Sequence, residues 1–419
     1  MYQLKEFKNG LKFVGIPLAD APTIAILLLV KVGSRFENSD NNGLCHFIEH
    51  MMFKGTKRRP TALDISKELD GIGAEFNAFT NKEYTGYYIK ADASYLPLAV
   101  EVLSDMLLHS KFDAREIAKE KGVIIEEINM YKDNPLMYVD DLLEQLMFKG
   151  NALGYSIAGH KKNIKAIKRQ DFLDYYKGFY QSQNMVLALA GNYKSSAPSL
   201  LEEKFSFTGG SAAGSFVEFK INQNKPRVAL MFKPTQQVQL ALGFYGCSYS
   251  DDDLPALKLL SAILGGNMSS RLFLSVREKN GLAYFIKSYL GNYLDSGNLI
   301  IQAGLDKGRI DQAIKIILQE LKRLKQGINS EELQRGKDYL AGKLSLELED
   351  TANLAQWFAI QQLMTDRILS PTEQIAKIQA VSVADLKYLA KKIIDFSRLN
   401  LAVIGPYRDK KKFERLIMM

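Results

Sequence analysis

Apolar and polar positions alternate with two different periods along this chain, and the places where the period changes outline its elements. Two short strand-like runs flank Asn9-Gly10, a dipeptide that favours a tight hairpin turn. Ala25 to Val32 is almost continuously apolar, broken only by Lys31, and reads as a buried strand. Phe76 to Lys90 is rich in Thr, Tyr and Phe, as strands are. A helical period runs through Thr61 to Leu69, Tyr95 to His109, Asp113 to Met130 and Asp311 to Leu324. Strands and helices in this mixed order predict an α+β fold, with mainly antiparallel sheets covered by helices.

The pattern also repeats. Ile164-Lys165-Ala166-Ile167, Asp171 and Leu187-Ala188-Leu189-Ala190-Gly191-Asn192-Tyr193 are matched by Ile378-Gln379-Ala380-Val381, Asp385 and Leu401-Ala402-Val403-Ile404-Gly405-Pro406-Tyr407, at a constant offset of 214. Two fused copies of one domain explain an offset of about half the chain. Phe207 to Ser215 is small and Gly/Ser-rich, with the composition of a linker. The expected organisation is an N-terminal domain over 1–206, a linker over 207–216 and a homologous C-terminal domain over 217–419.

Composition narrows the function classes. At 47% hydrophobic and 24% charged residues over 419 positions, the chain can bury two ordinary cores. The longest apolar run, around Thr23 to Val32, is too short to span a bilayer, and the N-terminus has no apolar stretch of signal-peptide length. Two distant cysteines, Cys45 and Cys247, offer no disulfide framework and fit a reducing compartment. A cytoplasmic protein without membrane insertion is expected. The net charge of +8 invites a nucleic-acid partner, but basic and acidic residues are interleaved and no reader motif accompanies them. No nucleic-acid binding is expected.

The chemistry concentrates in Gly43 to Thr56. On a helix started by Asn41 or Asn42 and stopped by Gly55, His46 and His50 lie one turn apart on one face, with Glu49 within reach of the same patch. Two imidazoles and a nearby carboxylate are what a catalytic zinc site needs from one helix. The chain has four histidines in all, and the other two, His109 and His160, lack such company and read as structural or surface residues.

A third ligand has to come from elsewhere. At 100° per residue, Ile117, Val123, Ile124, Ile128, Met130 and Tyr131 fall on one broad arc, and Glu120 and Glu127 fall inside it. Glu126 falls outside. A carboxylate on a buried face needs a partner, and zinc is the partner expected for Glu127. Glu120, two turns earlier, suits a catalytic supporting role, orienting a ligand histidine.

These residues resemble the inverzincin metallopeptidases of the pitrilysin and insulinase type, whose order His-x-x-Glu-His inverts that of thermolysin-like enzymes. The likeness runs through His46 to Thr56, Asn77-Ala78-Phe79-Thr80 and Val123 to Ile128, and then through Gly266 to Phe273 and Arg277 to Tyr284. It covers essentially the whole chain, whose length is similar to that of the short, processing-peptidase-like members. One departure is Asn151-Ala152-Leu153-Gly154, where many relatives have His-Pro-Leu-Gly. The resemblance implies an endopeptidase with one Zn(2+) per chain on His46, His50 and Glu127, and Glu49 as general base. It further implies substrate binding by Asn77, Ala78 and Phe79 on an edge strand and by an Arg277/Tyr284 pair, with unfolded peptides admitted to an enclosed chamber. Since metal motif and Arg/Tyr pair share one chain, a homodimer is the expected assembly, with a paralogous heterodimer as the alternative. A non-catalytic structural role, as in respiratory-complex core subunits of this fold, is the rival reading.

Overall fold

The computed structural model describes residues 2–210 and 214–418. The centre of the expected linker, residues 211–213, lies outside the described residues. The chain forms two compact units. One comprises Met1–Asn129, Tyr155–Val217 and Leu346–Ile368, and the other Met130–Gly154, Glu218–Ser345 and Leu369–Met419.

The first unit is built on six strands: β1 (Gln3–Glu6), β2 (Lys12–Pro17), β3 (Thr23–Val30), β4 (Glu75–Thr80), β5 (Thr85–Asp92) and β6 (Met185–Gly191). Their order across the sheet is β1-β2-β6-β3-β5-β4. All neighbours are antiparallel except β2 and β6. The second unit has five: β7 (Arg227–Phe232), β8 (Gln237–Tyr245), β9 (Ala283–Asn292), β10 (Gly297–Asp306) and β11 (Asn400–Gly405), in the order β7-β11-β8-β10-β9. Here too one pair, β7 and β11, is parallel. Removing β1 makes the two orders equivalent, so the repeat seen in sequence is a repeat of topology. The fold is α+β, with two mostly antiparallel sheets covered by helices.

Local chemistry accounts for the pieces. Gly10 takes φ 85° in the β1–β2 hairpin, a value that favours glycine. Thr61 caps the helix Ala62–Asp70 reciprocally with Asp64. Asp113 accepts from the backbone N–H of Arg115 and Glu116 at the start of the helix Ala114–Asp133, which ends just before Asn134-Pro135. The stretch Phe76 to Lys90 resolves into two strands, β4 and β5, joined by a short turn.

The contiguous halves 1–206 and 217–419 differ from this packing, because each half sends a helix into the other's unit. β3 is buried on both faces. Ile24, Ile26, Leu28 and Val30 point into one core, whereas Ala25, Leu27 and Leu29 are equally buried on the opposite face. The helix Thr351–Thr365 covers that second face by packing on β3 and β6. It is tied there by Lys90 to Asp350 at 2.7 Å and Lys12 to Asp366 at 2.7 Å. In the second unit, Val139, Leu143 and Met147 of the helix Pro135–Met147 pack with Ala241, Ile300 and Ala402 on the corresponding face. A sheet with two apolar faces needs a cover on each. Helical period shows that a helix has an apolar face, but not which sheet that face will cover.

Candidate metal centre

The nine-residue helix Leu44–Met52 carries the metal motif. Leu44, Phe47, Ile48, Met51 and Met52 bury its inner side, and Phe47 meets the Phe172 ring edge-on at 4.8 Å. This packing fixes the rotation of the helix, and so the direction in which His46 and His50 point. The start differs from expectation. Gly43, at φ 102°, takes the cap position with no side-chain cap, and Asn42 is occupied elsewhere, donating to Glu37 and to Ser156 O. Glu37 does the capping: its carboxylate accepts from Gly43 N at 2.9 Å and Cys45 N at 2.6 Å. The helix stops at Met52 rather than at Gly55, whose φ of 106° instead serves the following turn, where a Cβ would lie 2.4 Å from Pro60 O.

The helix Ala114–Asp133 brings the third group. His46 Nε2 and His50 Nε2 lie 3.2 Å apart, and Glu127 reaches them at 3.7 Å and 3.5 Å respectively. These are the described His, Cys, Asp and Glu residues whose ligand atoms cluster for a metal. Tetrahedral zinc with ligands at about 2.0–2.1 Å has edges of about 3.3–3.4 Å, so the donor spacing matches one shared ion. The chemistry matches as well: two imidazole nitrogens and a carboxylate oxygen, a three-ligand set of catalytic zinc sites. His46, only 8% exposed, has no hydrogen-bond partner on Nδ1 among the described residues.

Glu120 holds His50 from behind. Its carboxylate accepts from His50 Nδ1 at 2.9 Å and from Lys54 Nζ at 2.7 Å. With its proton on Nδ1, His50 presents a bare Nε2 to the cluster. Burial opposes charge on His50, but the Glu120 hydrogen bond and the surrounding carboxylates outweigh it and raise its pKa. Burial, reinforced by His50, lowers His46 to about 3 and keeps it neutral. For Glu120 the desolvation cost is overcome by His50 and Lys54, and its pKa falls. Desolvation raises Glu127, which lacks such donors.

Glu49 stands apart from the three donors. It accepts from Thr80 Oγ1 at 2.5 Å, and burial raises its pKa despite that bond. Thr80 closes β4, the outermost strand of its sheet, so Asn77, Ala78 and Phe79 lie on a strand paired on one side only. Ala78 N–H donates to Asn77 Oδ1 at 2.9 Å. Arg277 and Tyr284 come together within the second unit: the guanidinium lies 6.0 Å from the Tyr284 ring and 4.9 Å from that of Phe273. Tyr284 is 74% exposed.

The remaining expectations divide. Ile117, Ile124 and Ile128 are buried, but Val123 and Met130 are 52% and 55% exposed, so the apolar arc is narrower than the wheel implied. Ile117, Ile124 and Ile128 face the core, Glu127 lies at the edge of that face beside the histidines, and Val123 and Met130 lie past it around the helix. Glu126 is exposed and bonded to Asn129. His109 is paired with Asp105 at 3.2 Å on the surface, and His160 begins a short helix away from the cluster. Cys45 and Cys247 are free and buried. Burial and Glu37 push the Cys45 thiol up, which makes it a poor nucleophile. Glu37, Lys54 and Thr80 were missed as site residues. Lys54 and Thr80 sit inside matched motifs, whereas Glu37 carries no periodic signal.

Comparison with known proteins places the chain among peptidases. Residues 16–161 match the family model described as Insulinase (Peptidase family M16), and residues 166–340 match Peptidase M16 inactive domain. A Bacillus subtilis protein called uncharacterized zinc protease YmxG is 36% identical, with 95% of this chain and 97% of that protein covered. A probable mitochondrial-processing peptidase subunit beta of Arabidopsis thaliana is 29% identical, over 97% of this chain and 79% of its own length. The crystal structure of a protease from Helicobacter pylori superposes with a TM-score of 0.91 at 23% identity, covering 97% of this chain and 99% of that one, a likeness of fold. Fold, donor set and relatives define a zinc-dependent metallopeptidase. The chain belongs to the insulinase family of peptidases, family M16.

Proposed function

We propose that the protein is an endopeptidase that binds one Zn(2+) per chain through His46, His50 and Glu127 and hydrolyses extended peptides with Glu49 as general base. The observation that carries this reading is the meeting of three metal donors within 3.2–3.7 Å while Glu49 is left out of the set. Bound zinc would supply a Lewis acid and an acidified water. With the metal in place, Glu49 would serve as the general base, taking a proton from the attacking water and returning it to the leaving amine. Thr80 holds the Glu49 carboxylate in place, and Glu120 keeps the His50 proton on Nδ1.

Peptides bind by adding a strand to β4, where main-chain hydrogen bonds give affinity with little sequence selectivity. Ala78 N–H exchanges Asn77 Oδ1 for a substrate carbonyl. Arg277 grips a second carbonyl and Tyr284 donates to the developing oxyanion. An enclosing chamber that admits unfolded rather than folded proteins, a linker over 207–216 acting as its hinge, a competent homodimer and a cytoplasmic site of action belong to the same proposal. Among the described residues no helix is long and apolar enough to cross a membrane.

The test is bound zinc together with cleavage of a quenched peptide library by the wild type and by Glu49→Gln. The proposal expects about one zinc per chain in both and cleavage by the wild type alone. A wild type that binds no metal sinks it. Zinc bound without cleavage by the purified chain would instead favour the heterodimer reading.

A further inference from the structure

Outside the donor set, one buried carboxylate touches neither metal nor substrate groups and yet holds the element that carries both histidines. We infer that Glu37 is a positioning residue for the metal centre, locking the first turn of the helix Leu44–Met52 in the rotation at which His46 and His50 converge. This rests on the zinc-site reading above and extends it to a residue that makes no contact with the donors.

The motif helix begins without a capping side chain, since Gly43 has none to offer. Its free N–H groups need acceptors, and at a helix N-terminus an acidic group also complements the helix dipole. Glu37 supplies both oxygens. Oε1 accepts from Cys45 N at 2.6 Å, and Oε2 accepts from Gly43 N at 2.9 Å and from Asn42 Nδ2 at 2.8 Å. All three of these partners are donors. His46 is the third residue of the helix, inside the turn so fixed.

The other end of this clamp is equally constrained. Glu37 follows the single turn Ser34–Phe36, which is pinned to the turn between β4 and β5. Ser34 N and Arg35 N donate to Asn81 O at 3.3 Å and Lys82 O at 2.8 Å, and the buried Arg35 side chain pairs with Glu83. At Gly33 a Cβ would fall 2.1 Å from Asn81 O, so the approach tolerates no side chain. The same turn begins one residue after Thr80, which holds Glu49. Glu37 therefore joins the N-terminus of the histidine helix to the strand end that positions the base. Losing it frees the helix to turn relative to both Thr80, which holds Glu49, and Glu127.

Glu37→Gln is the informative change, because its amide NH2 must face at least one N–H donor and cannot accept from it. The expected result is zinc affinity weaker by about tenfold, the low end for groups that orient ligands indirectly. It is read by competition with a chromogenic chelator, alongside a zinc-saturated kcat that falls more than KM changes. Leu201→Ala, in the core of the same unit but away from the helix, is the control for general loss of stability, with zinc affinity expected within about threefold of the wild type. Should Glu37→Gln fail to fold, Glu37→Asp takes the same measurement, with an intermediate loss expected. Zinc affinity in the Glu37 variants no weaker than in Leu201→Ala overturns this inference alone. A wild type without zinc overturns the site reading, and this inference with it.

Discussion

Replacing Glu120 with Gln asks how strongly the environment behind His50 controls the metal centre. Glu120 is only 5% exposed, and its two oxygens are committed to His50 Nδ1 at 2.9 Å and Lys54 Nζ at 2.7 Å. Gln has one oxygen to offer. If it faces His50, the amide NH2 confronts the Lys54 ammonium; if it faces Lys54, the NH2 confronts His50 Nδ1 and favours the tautomer whose Nε2 is protonated and useless as a ligand. The first arrangement takes the Lys54 ammonium's acceptor away, the second costs His50 its metal-binding tautomer, and both remove the negative charge that makes His50 a stronger ligand. Partners of this kind contribute about 10–100-fold to metal affinity, or about 1.4–2.7 kcal/mol at 1.36 kcal/mol per tenfold. The zinc dissociation constant, measured by chelator competition at neutral pH, is expected to rise by that factor, while the unfolding midpoint of the metal-free protein moves little. Lys54→Met should weaken zinc less than Glu120→Gln, since it leaves the His50 bond in place. A change under threefold in Glu120→Gln would refute the argument that this carboxylate selects the His50 tautomer.

Further outcomes follow from other parts of the structure. Thr80→Val removes the hydroxyl that holds Glu49, and should lower kcat about 10-fold or more with zinc content unchanged, whereas Thr80→Ser should restore most of the rate; equal loss in both variants would remove Thr80 from the mechanism. Leu27, buried on the face of β3 that the helix Thr351–Thr365 covers, should cost about 2–5 kcal/mol as Leu27→Ala in denaturant unfolding, and a cost under 1 kcal/mol would mean that this face is not packed. Burial raises Asp140 to about 6 from its ordinary 3.8. The folded chain thus holds a proton that the unfolded chain releases, and wild-type stability declines as pH rises from about 4 through about 6. Asp140→Asn lacks that decline, so its stability relative to wild type should improve by about 1–3 kcal/mol between pH 4 and 7, and a pH-independent difference in thermal midpoint would contradict the assignment.

Much of the centre was legible in one dimension because its information is local. His46, Glu49 and His50 share a helix, and i, i+4 geometry alone puts the two imidazoles on one face. Glu127 could be separated from Glu126 because helical phase places one inward and the other outward, as their burial bears out. The topological repeat was legible too, since β6 and β11 kept enough of one apolar pattern to be matched at a fixed offset.

What tertiary structure decided depends on partners distant in the chain. The Thr351–Thr365 helix has an apolar surface readable from sequence, but it lies on β3 and β6, more than 150 residues away at the nearest. Hydrophobic burial is non-directional and does not name its partner. Val123 and Met130 carry the same apolar signal as Ile124 and Ile128, yet they are exposed, because they lie past Glu127 around the helix, beyond the face that meets the core. Glu37, Lys54 and Thr80 act through a few hydrogen bonds across loops and strand ends, which leave no period to detect. The sequence by itself determined which residues could bind a metal and activate a water; only the closing of these long-range bonds brought the donors to within 3.7 Å of one another.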